Sequence, residues 1–468
     1  MVSSVRSRQL STWIDPEIAF VTMFAASPRA FWLDSGVHAS SGFSYLGDGT
    51  ELLTASVPNG TVTRSTALGD DTETVVTGHS TIFAALRAEL ADESAGASNK
   101  NGVPAGEFSP GWVGWIGYEA GAEICGTPSH PSRYPDAAVL RPARMLVFDH
   151  TAHTVTALEQ EDAAAGEPFD WLSQLSDPIP DPPHPPAGPG SVRWRHPAPR
   201  YAELVEEAQA EIGRGNVYQL CLTNEIRIDG SFTAVDVYRR LRHSSPSHHG
   251  GLIVVDGVSL VSSSPEQFLR VSPDGRVTTR PIKGTRPRGR TPERDAQLEA
   301  ELIGSDKERA ENLMIVDLMR NDLGRVAITG SVAVTQLLAV ESYAQVHQLV
   351  STVTARLAEG VSGVDAVQSA FPAGSMTGAP KISAMTILDR LEAGPRGVYS
   401  GAFGYFGADG AVDLAMVIRS IVIDAGGASI GTGGGITALS VIDEEIEETR
   451  VKAAALLTAL GVSEQEVG

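Results

Sequence analysis

Two pairs of glutamates stand at the same spacing in two helix-like segments of the chain. Glu308 and Glu311 lie in DKERAENLM, and Glu445 and Glu448 lie in DEEIEETRVKAAA. On a helix, a spacing of three places both carboxylates on one face, where like charges repel. A divalent cation bound between the two helices explains the pairs, and so does a helix macrodipole that favours acids in the first turn. The spacing alone leaves both interpretations open.

A lysine and a further glutamate have the residue types of a nucleophile and a general acid. Lys283 lies in RPIKGTRPRG, between a proline and a glycine. A partly desolvated amine in a rigid turn can act as a nucleophile. A solvated surface lysine among arginines is equally consistent with this sequence. Glu266 follows a Ser-Ser-Ser-Pro turn at the end of a strand. Burial there favours a general acid, whereas exposure favours an ordinary turn residue.

A glycine run and a histidine complete the candidate residues. In SIGTGGGIT, glycines 433–435 follow a strand-like run and can bring consecutive backbone N–H groups onto a carboxylate or a phosphate. The run lacks the GK[ST] end of a P-loop and the GxGxxG spacing of a dinucleotide fold, so nucleotide binding is disfavoured. A tight structural turn explains the glycines as simply. His347 precedes an apolar strand and fits a packed, hydrogen-bonded histidine.

The composition excludes several classes of protein. The 468-residue chain is 42% hydrophobic and 20% charged, which is typical of a folded enzyme of two or three units. Its formal net charge of -21 argues against a nucleic-acid surface. Cys125 and Cys221 offer neither a disulfide framework nor zinc spacing. The apolar run 18–26 is too short to cross a bilayer and follows acidic residues, so we expect a cytoplasmic protein that binds no membrane.

The elements that must position these residues are mixed without a regular βαβ alternation, which predicts an α+β or layered α/β fold. A proline-rich seam at 177–199 predicts a linker between a β-rich subdomain, 1–176, and a catalytic domain, 200–468. The 3.6-residue period predicts helices at 81–92, 200–214, 292–303, 306–320 and 443–460. Apolar runs predict strands that include 218–228, 348–356, 412–423 and 428–432.

From about residue 200 to residue 460, the chain resembles the chorismate-utilising family, which includes component I of anthranilate synthase and the isochorismate and salicylate synthases. The similarity rests on ten motifs in the same order. They are YQLCLTNEI, SSSPEQFL, RPIKGTRPRG, ENLMIVDLMRNDLGRV, VHQLVSTV, FPAGSMTGAPKISAM, RGVYSGAFGYF, DLAMVIRS, GTGGGI and EEIEETRVKA. GWVGWIGYEAG and AFWLDSG extend the resemblance to the first half, whereas SPSHHGG, around residues 246–251, departs from the family pattern.

The resemblance implies a fold and a metal. Two large β-sheets form a sandwich with helices outside, and the active site lies in a cleft between subdomains. A magnesium ion bridges the ring carboxylate of chorismate to the two acidic helices. By motif, Glu311 and Glu448 correspond to direct Mg²⁺ ligands, and Glu308 and Glu445 to ligands that act through water.

The resemblance also implies a substrate site. One group of residues corresponds to those that hold the carboxylates of chorismate: Gly284, Thr285, Tyr399, Arg419, Gly433, Gly434 and Gly435. His347 corresponds to a histidine that faces the ring. Gln219 and Lys452 complete the substrate-binding set.

Two positions indicate which branch of the family the chain follows. Water-using members carry a lysine where this chain has Gln219, an amide that cannot serve as a base. Ortho-aminating members carry a small residue in PIAGT, where this chain has Lys283. The resemblance therefore implies amination at the para position, giving 4-amino-4-deoxychorismate. The resemblance further implies that Lys283 adds to C2 while Glu266 protonates the leaving C4 hydroxyl, and that ammonia then enters at C4.

The nitrogen source is expected to be a separate subunit. Neither cysteine lies in a GxCxG-like glutaminase elbow, so a glutamine amidotransferase is the implied partner in a heterodimer, and pyruvate elimination to 4-aminobenzoate needs another enzyme. An anthranilate synthase component I that carries lysine at 283 is the alternative enzyme. A non-catalytic chorismate-binding subunit is a more distant one. The sequence leaves open an effector in the first half and the choice between folate and antibiotic pathways.

Overall fold

The computed structural model describes residues 5–68, 71–96, 109–161, 167–175, 190–343 and 346–462. Ten α-helices lie in these ranges: α1 Pro16–Met23, α2 Ile82–Gly96, α3 Tyr118–Cys125, α4 Ala198–Gly213, α5 Ala234–Ser244, α6 Pro292–Gly304, α7 Asp306–Gly324, α8 Gly363–Ala370, α9 Lys381–Glu392 and α10 Ile442–Leu460. Two short 3-10 helices cover Asp170–Gln174 and Gly374–Met376. Within the described ranges, none of the helices has the length and apolarity that crossing a bilayer requires.

The described strands form two antiparallel sheets of twelve strands each. The first contains β1 Val5–Gln9, β2 Arg29–Asp34, β3 Phe43–Asp48, β9 Arg144–Asp149, β10 Thr154–Gln160, β11 Val192–Trp194, β12 Gln219–Asp229, β13 His249–Val255, β14 Val258–Ser264, β20 Gly378–Ala379, β23 Ser420–Asp424 and β24 Gly427–Ile436. The second contains β4 Glu51–Ser56, β5 Thr61–Leu68, β6 Asp71–Val76, β7 Trp112–Ile116, β8 Ala137–Arg141, β15 Gln267–Val271, β16 Arg276–Thr279, β17 Ile282–Pro287, β18 Ala333–Ser342, β19 Val346–Arg356, β21 Ala402–Phe406 and β22 Val412–Met416.

The two sheets pack face to face, and helices cover their outer faces. Phe31 and Val422 of the first sheet share a buried cluster with Trp115 and Phe403 of the second. Helices α1, α5 and α10 cover the first sheet, and α2, α7 and α8 cover the second. Covering both faces of each sheet removes the apolar side chains of the strands from water, which explains the layered arrangement. The predicted α+β sandwich is confirmed.

Each sheet is completed by both halves of the chain. β2 pairs with β13, and β7 pairs with β21, so strands from before and after the proline-rich seam lie side by side. Residues 177–189 of that seam lie outside the described residues; β11 and the start of α4 fall within the rest of it. The boundaries at 177 and 199 stay a prediction, and they do not separate two independent sheets.

The helices predicted from their period are confirmed, but two strand predictions need correction. Residues 412–423 form two strands, β22 and β23, that lie in different sheets. Arg419, with φ +51°, turns the chain between them, a left-handed conformation that the apolar run does not reveal. The glycines 433–435 lie inside β24 rather than in a turn after it. Likewise, residues 249–251 of the atypical SPSHHGG run begin β13.

Candidate active site

Helices α7 and α10 bring three carboxylates to the same two glycines of β24. A Cβ built on Gly434 would lie 2.9 Å from Oε2 of Glu445 and 3.5 Å from Oε1 of Glu448. A Cβ built on Gly435 would lie 3.6 Å from Oε2 of Glu311. The glycines thus let the backbone approach the acids closely, which any side chain at 434 would obstruct. Three of the four predicted metal-site glutamates therefore lie together.

Lysines balance the charge of these acids. Lys452 Nζ lies 2.5 Å from Oε1 of Glu448 and donates to the Gly433 carbonyl at 2.7 Å. Burial acts to raise the pKa of Glu448, but Lys452, Lys307 and Lys283 together outweigh it and leave that pKa below its usual value. Lys307 Nζ lies 3.3 Å from Oε1 of Glu445. Lys307 was absent from the sequence-based set, although it directly precedes Glu308 in the same motif.

The donor set fits a small divalent cation. Oε2 of Glu445 is buried without a hydrogen-bond partner in the described part of the chain, which is costly unless a ligand satisfies it. Burial raises the pKa of Glu311, with Lys283 and Lys307 acting against it. No group of three metal-binding side chains forms a complete cage among the residues described. Mg²⁺ does not need one, because it commonly uses one or two carboxylates together with water and substrate oxygens.

The fourth glutamate of the predicted set has a different partner. Arg286 Nη1 and Nη2 donate to the two carboxylate oxygens of Glu308 at 2.7 and 3.2 Å. This two-pronged pair fastens β17 to α7. Glu308 therefore faces Arg286, twenty-two residues earlier in the chain, and its role at a metal stays a prediction.

Lys283 leaves the regular pairing of its strand. The register between β17 and β19 shifts between Ile282 and Thr285, so Lys283 and Gly284 form a bulge, which re-aims side chains. Gly284 has φ +93°, and a Cβ there would lie 2.8 Å from Cδ1 of Leu302 and 3.1 Å from Cβ of Glu308. The bulge is thus seated against α6 and α7. Thr285, next to it, is exposed.

The lysine is electrostatically linked to a buried acid. Glu266 is 8% exposed, in the short connection between β14 and β15. Burial raises the pKa of Glu266 to about 7, although Lys283, the Ile282 N–H and the Ser375 hydroxyl all act to lower it. Near neutral pH a large share of this carboxyl carries a proton, as a general acid requires. Lys283 and Glu266 are thus brought together. Ser375, in the motif FPAGSMTGAPK, was not predicted as a site residue.

Polar groups suited to carboxylates also border β24. Burial lowers the pKa of Arg419, with Tyr399 and Glu448 acting against it, and a guanidinium remains charged at neutral pH even so. The Tyr399 ring packs so closely against Gly431 that a Cβ built on Gly431 would overlap the ring. Gln219 is 1% exposed, and its Nε2 occupies the space beside Gly435. Arg419, Tyr399 and Gln219 therefore border the same glycine strand as the acids.

His347 has protein partners on both ring nitrogens. Nδ1 lies 2.7 Å from the Ser342 hydroxyl and Nε2 lies 2.9 Å from Oδ1 of Asp295. Asp295 also accepts from Arg288 at 2.9 and 2.7 Å, and the histidine helps hold β19 against α6. Its predicted contact with the substrate ring stays a prediction.

Comparisons with known proteins agree with this geometry. The chain matches the model of chorismate binding enzymes over residues 45–458. It is 45% identical to an aminodeoxychorismate synthase of Streptomyces griseus over 97% of this chain and 64% of that protein. It is 42% identical to anthranilate synthase component 1 of Thermus thermophilus over 70% of this chain and 72% of that protein. The solved structure of anthranilate synthase component I from Streptococcus pneumoniae matches with a TM-score of 0.75 at 27% identity, covering 95% of this chain and 97% of that one.

The chain belongs to the family of chorismate binding enzymes. The resemblance seen in the sequence motifs is therefore confirmed. The chain spans 64% of the length of the Streptomyces relative, so about a third of that protein has no counterpart here.

The bulge gives the first testable prediction. Gly284→Ala places a Cβ against Leu302 and Glu308 at a left-handed φ, and we expect it to lower the free energy of unfolding by roughly 1–3 kcal/mol. Urea denaturation measures the change. Gly304→Ala, at the end of α6 with no atom within 4 Å of the added Cβ, is the matched control and should be close to neutral. Equal stability of the two variants would contradict the strained bulge.

Proposed function

We propose that the chain converts chorismate and ammonia to 4-amino-4-deoxychorismate. The observation that carries the proposal is the electrostatic interaction of Lys283 with the buried acid Glu266, together with the bulge at Lys283 and Gly284, which packs against Glu308. An amine, a protonated carboxyl and an acidic cation site are the groups that this chemistry uses. A relative 45% identical to the chain is named aminodeoxychorismate synthase, which supports the same function.

Chorismate would lie between the glutamate cluster, Glu311, Glu445 and Glu448, and Arg419. Chorismate carries two carboxylates, and the site offers two places for them. Glu311 and Glu448 would hold Mg²⁺ directly, with Glu445 and Glu308 behind them. Bound there, Mg²⁺ supplies the positive charge that the ring carboxylate needs among glutamates. Arg419 and Tyr399, with the N–H groups of residues 433–435, suit the second carboxylate.

In the proposed reaction, Lys283 acts as the nucleophile and Glu266 as the general acid. The Lys283 amine forms a bond to C2 of the ring, the double bond shifts, and the C4–O bond breaks. Glu266 gives its proton to the departing hydroxyl, which leaves as water. The added lysine nitrogen returns a proton to Glu266. Ammonia then bonds to C4, the double bond shifts back, and the C2–N bond to Lys283 breaks as the proton lost by the incoming nitrogen passes to the leaving amine. The lysine is regenerated, and the nitrogen stands para to the ring carboxylate.

Regiochemistry separates this function from its rival. Anthranilate formation requires nitrogen to enter at C2, and a relative with the name anthranilate synthase component 1 shares 42% identity with the chain. Lys283 occupies the approach to C2, so external nitrogen is directed to C4. Gln219 cannot deprotonate water, which disfavours addition of water at C2 as well. Ammonia would come from a glutamine-hydrolysing subunit, in a cytosolic heterodimer.

We expect Lys283→Ala to abolish or sharply reduce 4-amino-4-deoxychorismate formation from chorismate, ammonium and magnesium, because no amine then adds at C2. Coupling to a lyase and detecting 4-aminobenzoate measures the product, and fluorescence measures anthranilate. Arg290→Ala, an exposed basic residue of the same segment, is the control and should keep wild-type turnover. Undiminished para product in Lys283→Ala would remove the lysine from the mechanism.

Glu266→Gln cannot donate the proton, so we expect kcat to fall by about 10²- to 10⁴-fold, the usual contribution of a general acid. In the wild type, the acid is active only when protonated. Its pKa of about 7 therefore predicts a rate that declines as pH rises through about 7. The pH profile of ammonia-driven turnover tests both statements. A flat profile from pH 6 to pH 9 would exclude Glu266 as the acid.

Loss of one carboxylate ligand should weaken the metal site. We expect Glu448→Gln to reduce Mg²⁺ affinity by more than about tenfold, since even supporting residues contribute that much. Calorimetry with chorismate present, or Mn²⁺ resonance, reports binding without relying on turnover. Glu447→Gln, on the outward side of the same helix turn, is the control. Equal metal affinity in both variants would refute the assignment of Glu448.

A further inference from the structure

The bulge that carries Lys283 lies outside the regular ladder of its sheet. β17 pairs with β19 at Ile282 and again from Thr285 onward, and the register shifts between these two residues. Because a bulge disrupts the ladder locally, neighbouring elements must fix the position of Lys283 and Gly284. A Cβ built on Gly284 would lie 3.1 Å from both Cβ and Cδ of Glu308. Glu308 therefore lies directly against the residue that follows the lysine.

Glu308 is a rigid anchor for this bulge. It lies in the first turn of α7, where its backbone N–H donates to the hydroxyl of the N-cap residue Ser305 at 3.5 Å. The helix macrodipole favours a carboxylate in that turn. The Glu308 side chain is 17% exposed, so water competes little for its oxygens. The carboxylate consequently has a defined place on α7.

Arg286 connects the anchor to the strand just after the bulge. Its two terminal nitrogens donate to the two carboxylate oxygens of Glu308, and Nη1 also donates to the Thr285 carbonyl at 2.9 Å. A planar guanidinium that makes two bonds to one carboxylate fixes direction as well as distance. The backbone of β17 is thus joined to α7 two residues beyond Gly284.

A fixed backbone matters for Lys283 because several acids attract its amine. The amine acts electrostatically on Glu266, Glu311 and Glu448. A long, flexible ammonium side chain can form an ion pair with any carboxylate within its reach. Holding the backbone of residue 283 in one place limits these choices and sets where the amine can meet a substrate carbon.

The partner of Glu308 separates it from the other glutamates of the cluster. Glu445 and Glu448 each lie beside a lysine amine, of Lys307 and Lys452 respectively. Both oxygens of Glu308 are instead engaged by a single guanidinium. The structure therefore gives Glu308 a connection to the lysine strand that the other acids do not share.

We infer that Arg286 is a positioning residue for Lys283, because its pair with Glu308 fixes the bulge from which the amine reaches the substrate ring. The inference rests on the proposed function, in which Lys283 adds to C2 of chorismate. It assigns Glu308 to the support of the lysine rather than to the cation. Arg286 acts in this role through the backbone of β17.

The kinetic test compares Arg286→Met with Arg87→Met in ammonia-driven turnover at saturating magnesium. We expect Arg286→Met to lower kcat by about ten- to a hundredfold, because a small displacement of a reacting group slows bond formation. The KM for chorismate should not change, since substrate binding is not involved, and Mg²⁺ affinity, followed by Mn²⁺ resonance, should not weaken. Arg87 donates to Asp365 at 2.7 Å and joins α2 to α8, which carry no predicted site residue. Arg87→Met is therefore the matched control and should keep the wild-type kcat.

A double-mutant cycle tests whether Arg286 acts through Glu308. Glu308→Gln breaks the same pair from the side of the helix, so kcat should fall by a similar factor. The double variant should lose no more than either single variant, because two residues that act as one unit are not additive. Arg286→Lys should recover only part of the lost rate, since an ammonium cannot make two parallel bonds to a carboxylate.

Amide hydrogen exchange tests the support of the bulge without turnover. In the protein without chorismate, Arg286→Met should speed exchange in the peptide that spans β17, because this strand loses its connection to α7. Arg87→Met should leave that peptide unchanged. Unchanged exchange of β17 in Arg286→Met overturns the inference, whichever reaction the protein catalyses.

The kinetic results are equally decisive. Wild-type kcat in Arg286→Met overturns the inference. A raised KM for chorismate at unchanged kcat would assign the guanidinium to substrate binding, and weakened Mg²⁺ binding or additive losses in the double variant would assign Glu308 to the cation; each of these results overturns it too. If Arg286→Met does not fold, Arg286→Lys replaces it and must lose kcat at unchanged KM. A wild type inactive with ammonium refutes the proposed function, while hydrogen exchange still tests the pair.

Discussion

The proposed chemistry depends on confining one lysine between a buried acid and a group of glutamates. An amine and carboxylates at short range would normally form ion pairs and lose reactivity. Here Glu266 is buried enough that its pKa rises to about 7, while Glu448 is satisfied by Lys452. Lys283 is thus left among acids of which one is ready to give a proton. The fold maintains this arrangement by seating the bulge of β17 against two helices.

The sandwich explains why such distant segments meet. The strand bearing Lys283 belongs to one sheet, and the glycine strand β24 belongs to the other. Helices α7 and α10 cover different sheets, yet Lys307 of α7 contacts Glu445 of α10. The site therefore lies where the two layers meet, and neither layer holds a complete set of groups. Arg286, Arg288 and their carboxylate partners then fasten the lysine strand to α6 and α7.

Much of this could be predicted from the sequence, because its signals are local. A three-residue spacing of glutamates becomes one helix face without further information, and the apolar period located α7 and α10. The motifs then identified the family and, through PIKGT, the lysine. Features that depend on contacts between distant residues could not be predicted in this way. The pairing of Glu308 with Arg286, the bulge at 283–284 and the turn at Arg419 that splits residues 412–423 between two sheets are all of this kind.

The central claim is that Lys283 bonds covalently to the substrate ring. The direct measurement is mass spectrometry of the enzyme quenched in acid after mixing with chorismate and magnesium in the absence of ammonia, followed by peptide mapping. We expect the peptide that contains Lys283 to gain the mass of chorismate less one water, and that gain to disappear when ammonium is added before quenching. An unmodified Lys283 peptide in an enzyme that forms product at its normal rate would contradict the account.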